Sequence, residues 1–365
     1  MSKSFKIIHI VDFANKNLWF EEYLDLIAAQ GVRQEVLLLS ENEHLVNYAK
    51  SKNINVRGSF EFLITSFFSF TRRDKSSFAL AHGYIPSIFA SAMYPLHRVK
   101  PIIVHHHQPN FFNLYRSKSF LKGTLHGLVL RLTYKMSFAI QSFSEEVRES
   151  LIRKGVPKKK IFSNPIGVNL SALNEFLKPE SSIDHLTNFE KSIVSISRLS
   201  WEKNLALGIK AVAKANQGGS RLRYRIYGEG PERSALEALI VDLNAHEYVE
   251  LKGFDTEIFH ALSSSNLFLH TSQTESYGQV ILEAFSIGVP ILTTKVGVAI
   301  DLYNVDSSHV QFIETDEPSV IANQIYLQLQ QCPIDKEVLS NASILEHHSI
   351  ERSVLRLVNF LESAL

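Results

Sequence analysis

Residues 267–294, LFLHTSQTESYGQVILEAFSIGVPILTT, constrain the fold more than any other stretch of the chain. An apolar run ends at His270, a polar loop covers 271–275, and Gly278 precedes a short apolar helix expected over 280–287. Gly288 stops that helix, Pro290 bars its continuation, and a second apolar run follows over 291–294. The pattern is strand, loop, helix, strand. Glu275 and Glu283 bracket the loop and the helix start, with seven residues between them. The first-turn N–H groups of a helix have no intrahelical partners, so a strand feeding a helix start forms an anion site. One small region thus offers N–H donors for phosphate and two carboxylates for hydroxyls. A ligand with both a diphosphate and sugars fits that inventory, although two solvated glutamates on an ordinary strand–helix unit need no ligand.

At 365 residues the chain is long for one core, and two domains are expected. Hydrophobic content of 45% and charged content of 21% are those of a soluble globular protein. Cys332 is the single cysteine, so no internal disulfide can form, which suits a reducing compartment. The opening MSKSFKIIHIVDF reads as a first strand and not as a signal peptide. No run reaches the roughly 18 apolar residues of a spanning helix. Net charge is +1, but residues 1–166 hold 23 Lys+Arg against 12 Asp+Glu, or +11, and the remainder holds 15 against 25, or −10. Either the halves attract each other across a cleft, or the basic half turns toward an anionic membrane or acceptor.

In the first half, the strand at 6–11 is followed by a turn at 12–17 with no glycine. A nicotinamide- or flavin-binding Rossmann turn carries glycines there, so its composition argues against those cofactors. A helix is expected over 19–30, a strand over 35–39, a helix over 42–50 and a short strand over 54–56. Residues 60–78 are crowded with phenylalanine ahead of Arg72, Arg73 and Lys75, as in a buried helix or one dipping into a membrane interface. The strand at 101–104 runs into His105, His106 and His107. Neighbouring strand residues point to opposite faces and no carboxylate or cysteine completes a tetrahedral set, so no metal is expected. Residues 113–138 carry Arg116, Lys118, Lys122, Arg131 and Lys135 with no acid. Leu121, Leu125, Leu128 and Leu132 recur there at helical spacing, which fits a membrane-surface helix or a core-facing one equally. Ser144 caps a helix with an acidic first turn.

The second half opens with a strand at 192–197 ending in Arg198 and Lys203, two cations five positions apart that can both reach a diphosphate. The strand at 223–227 leads into Gly228 and Gly230, which permit a tight turn and close backbone approach.

The segment ESYGQVILEAFSIGVP, holding Glu275, Glu283, Gly278, Gly288 and Pro290, resembles the double-glutamate signature of the retaining family 4 glycosyltransferases. Arg198 to Asn204 resembles that family's R-x4-K-N element, 228–232 its G-x-G-P turn, 249–253 its base-contacting strand, and 164–169 its N-G-V-D element. Departures fall at the glycine-free turn of 12–17, at Gln108-Pro109, and at Val298 and Asp301. The resemblance implies an α/β GT-B fold, two facing Rossmann-like domains with a cleft between them. It places an N-terminal acceptor-side domain over 1–169, a linker over 170–190, a C-terminal nucleotide-sugar-binding domain over 191–349, and a helix over 350–365 packing back on the first domain.

It implies transfer of a sugar from a nucleotide-diphosphate donor with retention, in cell-envelope polysaccharide or glycolipid synthesis. The implied catalytic residues are Arg198 and Lys203 on the departing diphosphate, Glu275 on the sugar hydroxyls, and His107 orienting the sugar. The implied donor-binding residues are Glu283 on the ribose, with Gly228, Gly230, Gly253, Ser276, Tyr277, Gly278, Gln279 and Val280. No metal or cofactor is implied, and UDP is favoured only by its frequency in the family. The expected partners are the nucleotide sugar, a glycan or lipid-linked acceptor and an anionic membrane surface, with no nucleic acid. The expected location is cytoplasmic, at the inner face of the membrane. A phosphorylase or sugar-phosphate synthase of the same fold, and a non-catalytic nucleotide-sugar binder, are the alternatives.

Overall fold

A computed structural model of the chain describes residues 3–12, 18–58, 76–97, 99–104, 120–168, 173, 191–255, 257–331 and 342–365. It divides into two compact units, Met1–Ile166 with Ile350–Leu365, and Gly167–Ser349.

The first unit is built on β1 (Lys6–Val11), β2 (Arg33–Leu38), β3 (Asn55–Gly58), β4 (Ser77–His82), β5 (Lys100–Val104), β6 (Ala139–Ser142) and β7 (Ile161–Ser163). Their spatial order is β3-β2-β1-β4-β5-β6-β7, every pair parallel. A parallel sheet is covered on both faces, so its strands are apolar without alternation. All six residues of β4 are buried accordingly. The helices are α1 (Leu18–Ala29), α2 (Glu43–Ser51), α3 (Tyr84–His97), α4 (Phe120–Met136) and α5 (Glu145–Arg153). Caps set the helix starts that the sequence marks: Asn42 Oδ1 accepts the Leu45 N–H at 2.9 Å, and Ser144 Oγ that of Val147 at 3.3 Å.

Strand order reverses between β1 and β4, and a buried pair sits there. His9 Nδ1 lies 3.2 Å from His82 Nε2. Gln34 donates through Nε2 to the Leu24 carbonyl, so its Oε1 accepts from His9 Nε2, and His9 Nδ1 accepts from His82. Burial holds the His9 imidazole down to about 4, hence neutral.

In α4 the core-facing reading fails for Leu125, Leu128 and Leu132. Leu130, Thr133 and Tyr134 are buried, and Leu130 and Tyr134 pack with Ile103 and Ile140. Leu125, Leu128 and Leu132 are 61%, 56% and 54% exposed. The phenylalanine-rich stretch up to residue 75, the histidines at 105–107, Arg116 and Lys118 lie outside the described residues.

The second unit repeats the pattern. Its strands are β8 (Lys191–Ile196), β9 (Leu222–Tyr227), β10 (Val249–Gly253), β11 (Leu267–His270), β12 (Ile291–Thr294) and β13 (Val310–Ile313). They run in the order β10-β9-β8-β11-β12-β13, again all parallel. The reversal falls between β8 and β11. In open α/β sheets ligands bind outside the carboxyl ends of the strands at such a reversal. The helices are α6 (Leu205–Gln217), α7 (Arg233–Asp242), α8 (Ile258–Ser263), α9 (Gln279–Ile287), α10 (Ala299–Val305), α11 (Pro318–Gln331) and α12 (Ala342–His347). Val168 and Ser349 form an isolated parallel bridge at this unit's two ends.

The last helix, α13 (Ile350–Ser363), belongs to the first unit. Val354, Leu357, Val358 and Leu361 are buried at helical spacing. Burial of each such side chain is worth about 1.5–3 kcal/mol. Asn164 fixes the docking, donating to the Ser353 carbonyl at 3.1 Å and accepting from Arg356 Nε at 3.1 Å. Phe162 stacks on Phe360 with centroids 4.3 Å apart.

Candidate functional site

The carboxyl end of β8 turns through Ser197, Arg198 and Leu199. Its backbone is zipped to the turn after β9: Ser197 N–H donates to Tyr227 O at 3.0 Å, Leu199 N–H to Glu229 O at 2.9 Å, and Glu232 N–H to Leu199 O at 3.0 Å. Only glycine permits this approach. A Cβ on Gly228 would stand 1.9 Å from Ser197 O, and one on Gly230 would stand 2.3 Å from Leu199 O. Gly253, at φ +81°, continues the contact by accepting the Gly228 N–H at 2.7 Å. The three glycines named from sequence therefore act on the position of Arg198. Arg198 itself is exposed and has no side-chain partner among the described residues.

The chain then makes one 3₁₀ turn, Trp201–Lys203, closed by Asn204 in the left-handed region at φ 48°. The end of β11 grips it. The Thr271 hydroxyl donates to the Lys203 and Asn204 carbonyls, both at 3.0 Å, and Gln273 N–H donates to Glu202 O at 2.8 Å. The segment so held aims Lys203 at the loop before α9. Lys203 Nζ reaches Glu275 Oε1 at 2.6 Å, and His270 Nε2 reaches the same oxygen at 3.0 Å. Oε2 of Glu275 has no partner among the described residues. Burial pushes the Glu275 carboxyl up, but the Lys203 charge and the His270 contact outweigh it and hold it at about 2. It is thus a fixed anion with one oxygen committed and one open.

Glu283 lies on α9, one turn in, and is also buried. Its partner is Gln279, which donates to Oε1 at 3.1 Å. Burial dominates here and raises the carboxyl to about 7. Two glutamates eight positions apart are therefore driven in opposite directions by what surrounds them. Between them Gly278, at φ 83°, opens α9. Its carbonyl takes the Ile281 N–H at 2.9 Å, so Gln279 and Val280 are the N–H groups left pointing out of the helix start.

Tyr277 is placed differently from the neighbours it was grouped with. It is 1% exposed, its hydroxyl lies 2.9 Å from His348 Nδ1, and its carbonyl accepts the Val298 N–H at 2.6 Å. Its side chain is turned into the core, while that of Ser276 is half-buried. His107 lies outside the described residues. The sequence reading passed over His270, whose signal is slight: a polar residue closing an apolar strand at the sheet's carboxyl edge. It also did not foresee that Lys203 would be paired with Glu275.

Two units, each a parallel sheet reversing about its first strand, are two Rossmann-like folds, the composition of the GT-B glycosyltransferases. Residues 180–331, within the second unit, match the family model described as "Glycosyl transferases group 1". The chain is 29% identical over 213 residues to the GtfA subunit of a UDP-N-acetylglucosamine–peptide N-acetylglucosaminyltransferase of Streptococcus parasanguinis, covering 56% of this chain and 40% of that protein. It is 29% identical over 166 residues to the putative colanic acid biosynthesis glycosyltransferase WcaL of Escherichia coli, covering 43% of this chain and 39% of that one. The chain thus matches about two fifths of the length of these relatives. Among solved structures, HepE of Anabaena in complex with UDP-glucose superposes with a TM-score of 0.73 at 17% identity, covering 98% of this chain and 99% of the other.

Proposed function

We propose that the protein is a glycosyltransferase that moves a sugar from a nucleotide-diphosphate donor to an acceptor with retention of anomeric configuration. The observation that carries the reading is the Lys203–Glu275–His270 cluster at the β8/β11 reversal, ahead of the start of α9, with the exposed Arg198, which has no side-chain partner among the described residues, on the turn that leaves β8. In this reading Arg198 and the N–H groups of Gln279 and Val280 bind the diphosphate. Lys203 divides its charge between the diphosphate and Glu275, and charge building on the leaving group is met by fixed cations. The open oxygen of Glu275 accepts from sugar hydroxyls, and Glu283 from the ribose. His107 orients the sugar. No metal is needed, because side chains supply the positive charge, and UDP is the nucleotide we favour.

The acceptor we propose is a glycan or lipid-linked intermediate of the cell envelope, reached from the cytoplasmic side with peripheral contact to an anionic membrane. The name of WcaL supports the first part. The second is supported by α4, which presents Leu125, Leu128, Leu132 and the 37%-exposed Met136 along one face beside exposed Arg131 and Lys135. Among the described residues no helix is long and apolar enough to cross a membrane. The test is a thermal-shift screen of nucleoside diphosphates and nucleotide sugars, followed by donor-consumption assays with and without acceptor. Stabilisation by one nucleotide sugar and turnover that needs an acceptor are expected. Binding without any turnover would instead identify a nucleotide-sugar binding protein.

A further inference from the structure

Tyr277 stands between Glu275 and Gly278, in the loop that the proposed function assigns to the donor, and yet its side chain is buried. Its main chain is fixed on one side by Val298, whose N–H it accepts at 2.6 Å. Gly297 makes that contact possible, since a Cβ there would lie 2.1 Å from Tyr277 O. The side chain is fixed on the other side by His348, at 2.9 Å from hydroxyl to Nδ1. Both residues are buried, Tyr277 at 1% and His348 at 4% exposure. The imidazole is itself held edge-on by His347, with ring centroids 4.9 Å apart. One position further, the chain reaches the place where the second unit begins and ends. His348 O accepts the Val168 N–H at 2.8 Å, and Val168 bridges Ser349. Gly167 and Ser349 are the first and last residues of this unit.

We propose that His348 is a positioning residue of the donor loop, acting through the Tyr277 hydroxyl, and that the pair ties the loop to the two crossover segments at 167–168 and 348–349. The inference rests on the reading of 275–280 as the diphosphate and sugar loop. Glu275 is held by Lys203 and His270, the Tyr277 carbonyl by the Val298 N–H, and the Gly278 carbonyl by the Ile281 N–H. The buried Tyr277 hydroxyl contact with His348 is a further anchor within the same loop, so releasing it loosens the segment that carries the N–H groups of Gln279 and Val280. In return, a ligand that immobilises those N–H groups restrains His348 and, through its carbonyl, Val168.

Two measurements on the full chain decide it. The first needs no nucleotide: amide hydrogen exchange in 276–281 is compared among wild type, Tyr277→Phe, His348→Ala and His348→Asn. Tyr277→Phe and His348→Ala should each speed exchange there about tenfold, and His348→Asn, whose Oδ1 can stand in for Nδ1, should restore it. Unchanged exchange in both Tyr277→Phe and His348→Ala overturns the tie. The second uses UDP. Each of those two variants should weaken UDP about tenfold per folded molecule, the double variant no further, and UDP should protect 167–168 and 348–349 in wild type but not in Tyr277→Phe. A purely structural role would lower the melting temperature and leave UDP affinity within twofold, which also overturns the proposal. A wild type that binds no nucleoside diphosphate defeats the functional reading, and the exchange experiment then still decides whether His348 holds the loop.

Discussion

Arg198 and Lys203 belong to one sequence element but not to one electrostatic setting. Arg198 is exposed and unpartnered among the described residues, whereas Lys203 forms an ion pair of which both members are mostly buried. Removing one member of a buried pair leaves an uncompensated charge, a loss of about 3–5 kcal/mol. We therefore expect Lys203→Ala to lower both stability and turnover. Arg198→Ala should leave stability within about 0.5 kcal/mol and reduce turnover by roughly 100-fold. Chemical denaturation beside initial rates checks this, and equal stability losses would contradict it. Glu283 gives a pH signature. Its carboxyl ionises near 4.5 when unfolded and near 7 when buried in the fold. Between those values the folded state binds the extra proton, so stability falls as pH rises from about 4.5 to about 7 and stays reduced above, by an amount of order 3 kcal/mol. Glu275 has the opposite sign: its contribution is present above about 4.5 and is lost as pH falls toward 2. Glu283→Gln should accordingly raise the melting temperature at pH 8, with the difference fading toward pH 4.5. A pH-independent difference would place the raised carboxyl elsewhere.

At the scale of elements, α4 invites a direct experiment. Its exposed leucines contribute little to the core, so Leu125→Ser, Leu128→Ser and Leu132→Ser together should leave the melting temperature nearly unchanged. The same variant should lose binding to anionic vesicles in sedimentation. Reversing Arg131 and Lys135 should weaken binding as well, because each basic group near an anionic leaflet is worth about 1 kcal/mol. Binding to neutral and anionic vesicles alike, or to neither, would refute the membrane reading. This helix also shows where sequence stopped being sufficient. Leucines at helical spacing specify a face but not what covers it, and only the packing of Leu130 and Tyr134 assigns the other side to the core. The strand–loop–helix around Gly278 was legible because each signal is local: a left-handed glycine, an apolar helix and a glycine stop. The Lys203–Glu275 contact was not, since it joins turns 72 positions apart that meet only because the sheet reverses between β8 and β11. Asn164 is similar, since its hold on α13 spans most of the chain.

At the scale of the molecule, ligand binding and stability are linked. A nucleoside diphosphate held at 100 times its dissociation constant should stabilise the protein by about 2.7 kcal/mol. Wild type should show that shift with UDP, and Gly230→Ala should not, since the Cβ displaces the turn that carries Arg198. Calorimetric scans with and without UDP decide it, and an undiminished shift in Gly230→Ala would separate the β9 turn from the site. Individual strands are readable as apolar runs and the two-domain fold is implied by the family resemblance, but the strand at Val310–Ile313 and the match of strand order between the two units emerge only from the pairing. Finally, α13 lies in the first unit while residues 167–349 intervene between it and Ile166. During synthesis the second unit leaves the ribosome whole and can close its core at once. The first waits, with the α1 and β7 surfaces that α13 will cover still bare, until α13 is made. The earlier-translated unit is thus completed only after the second has been made, and in that interval its nascent form carries uncovered apolar surface, the condition that favours aggregation.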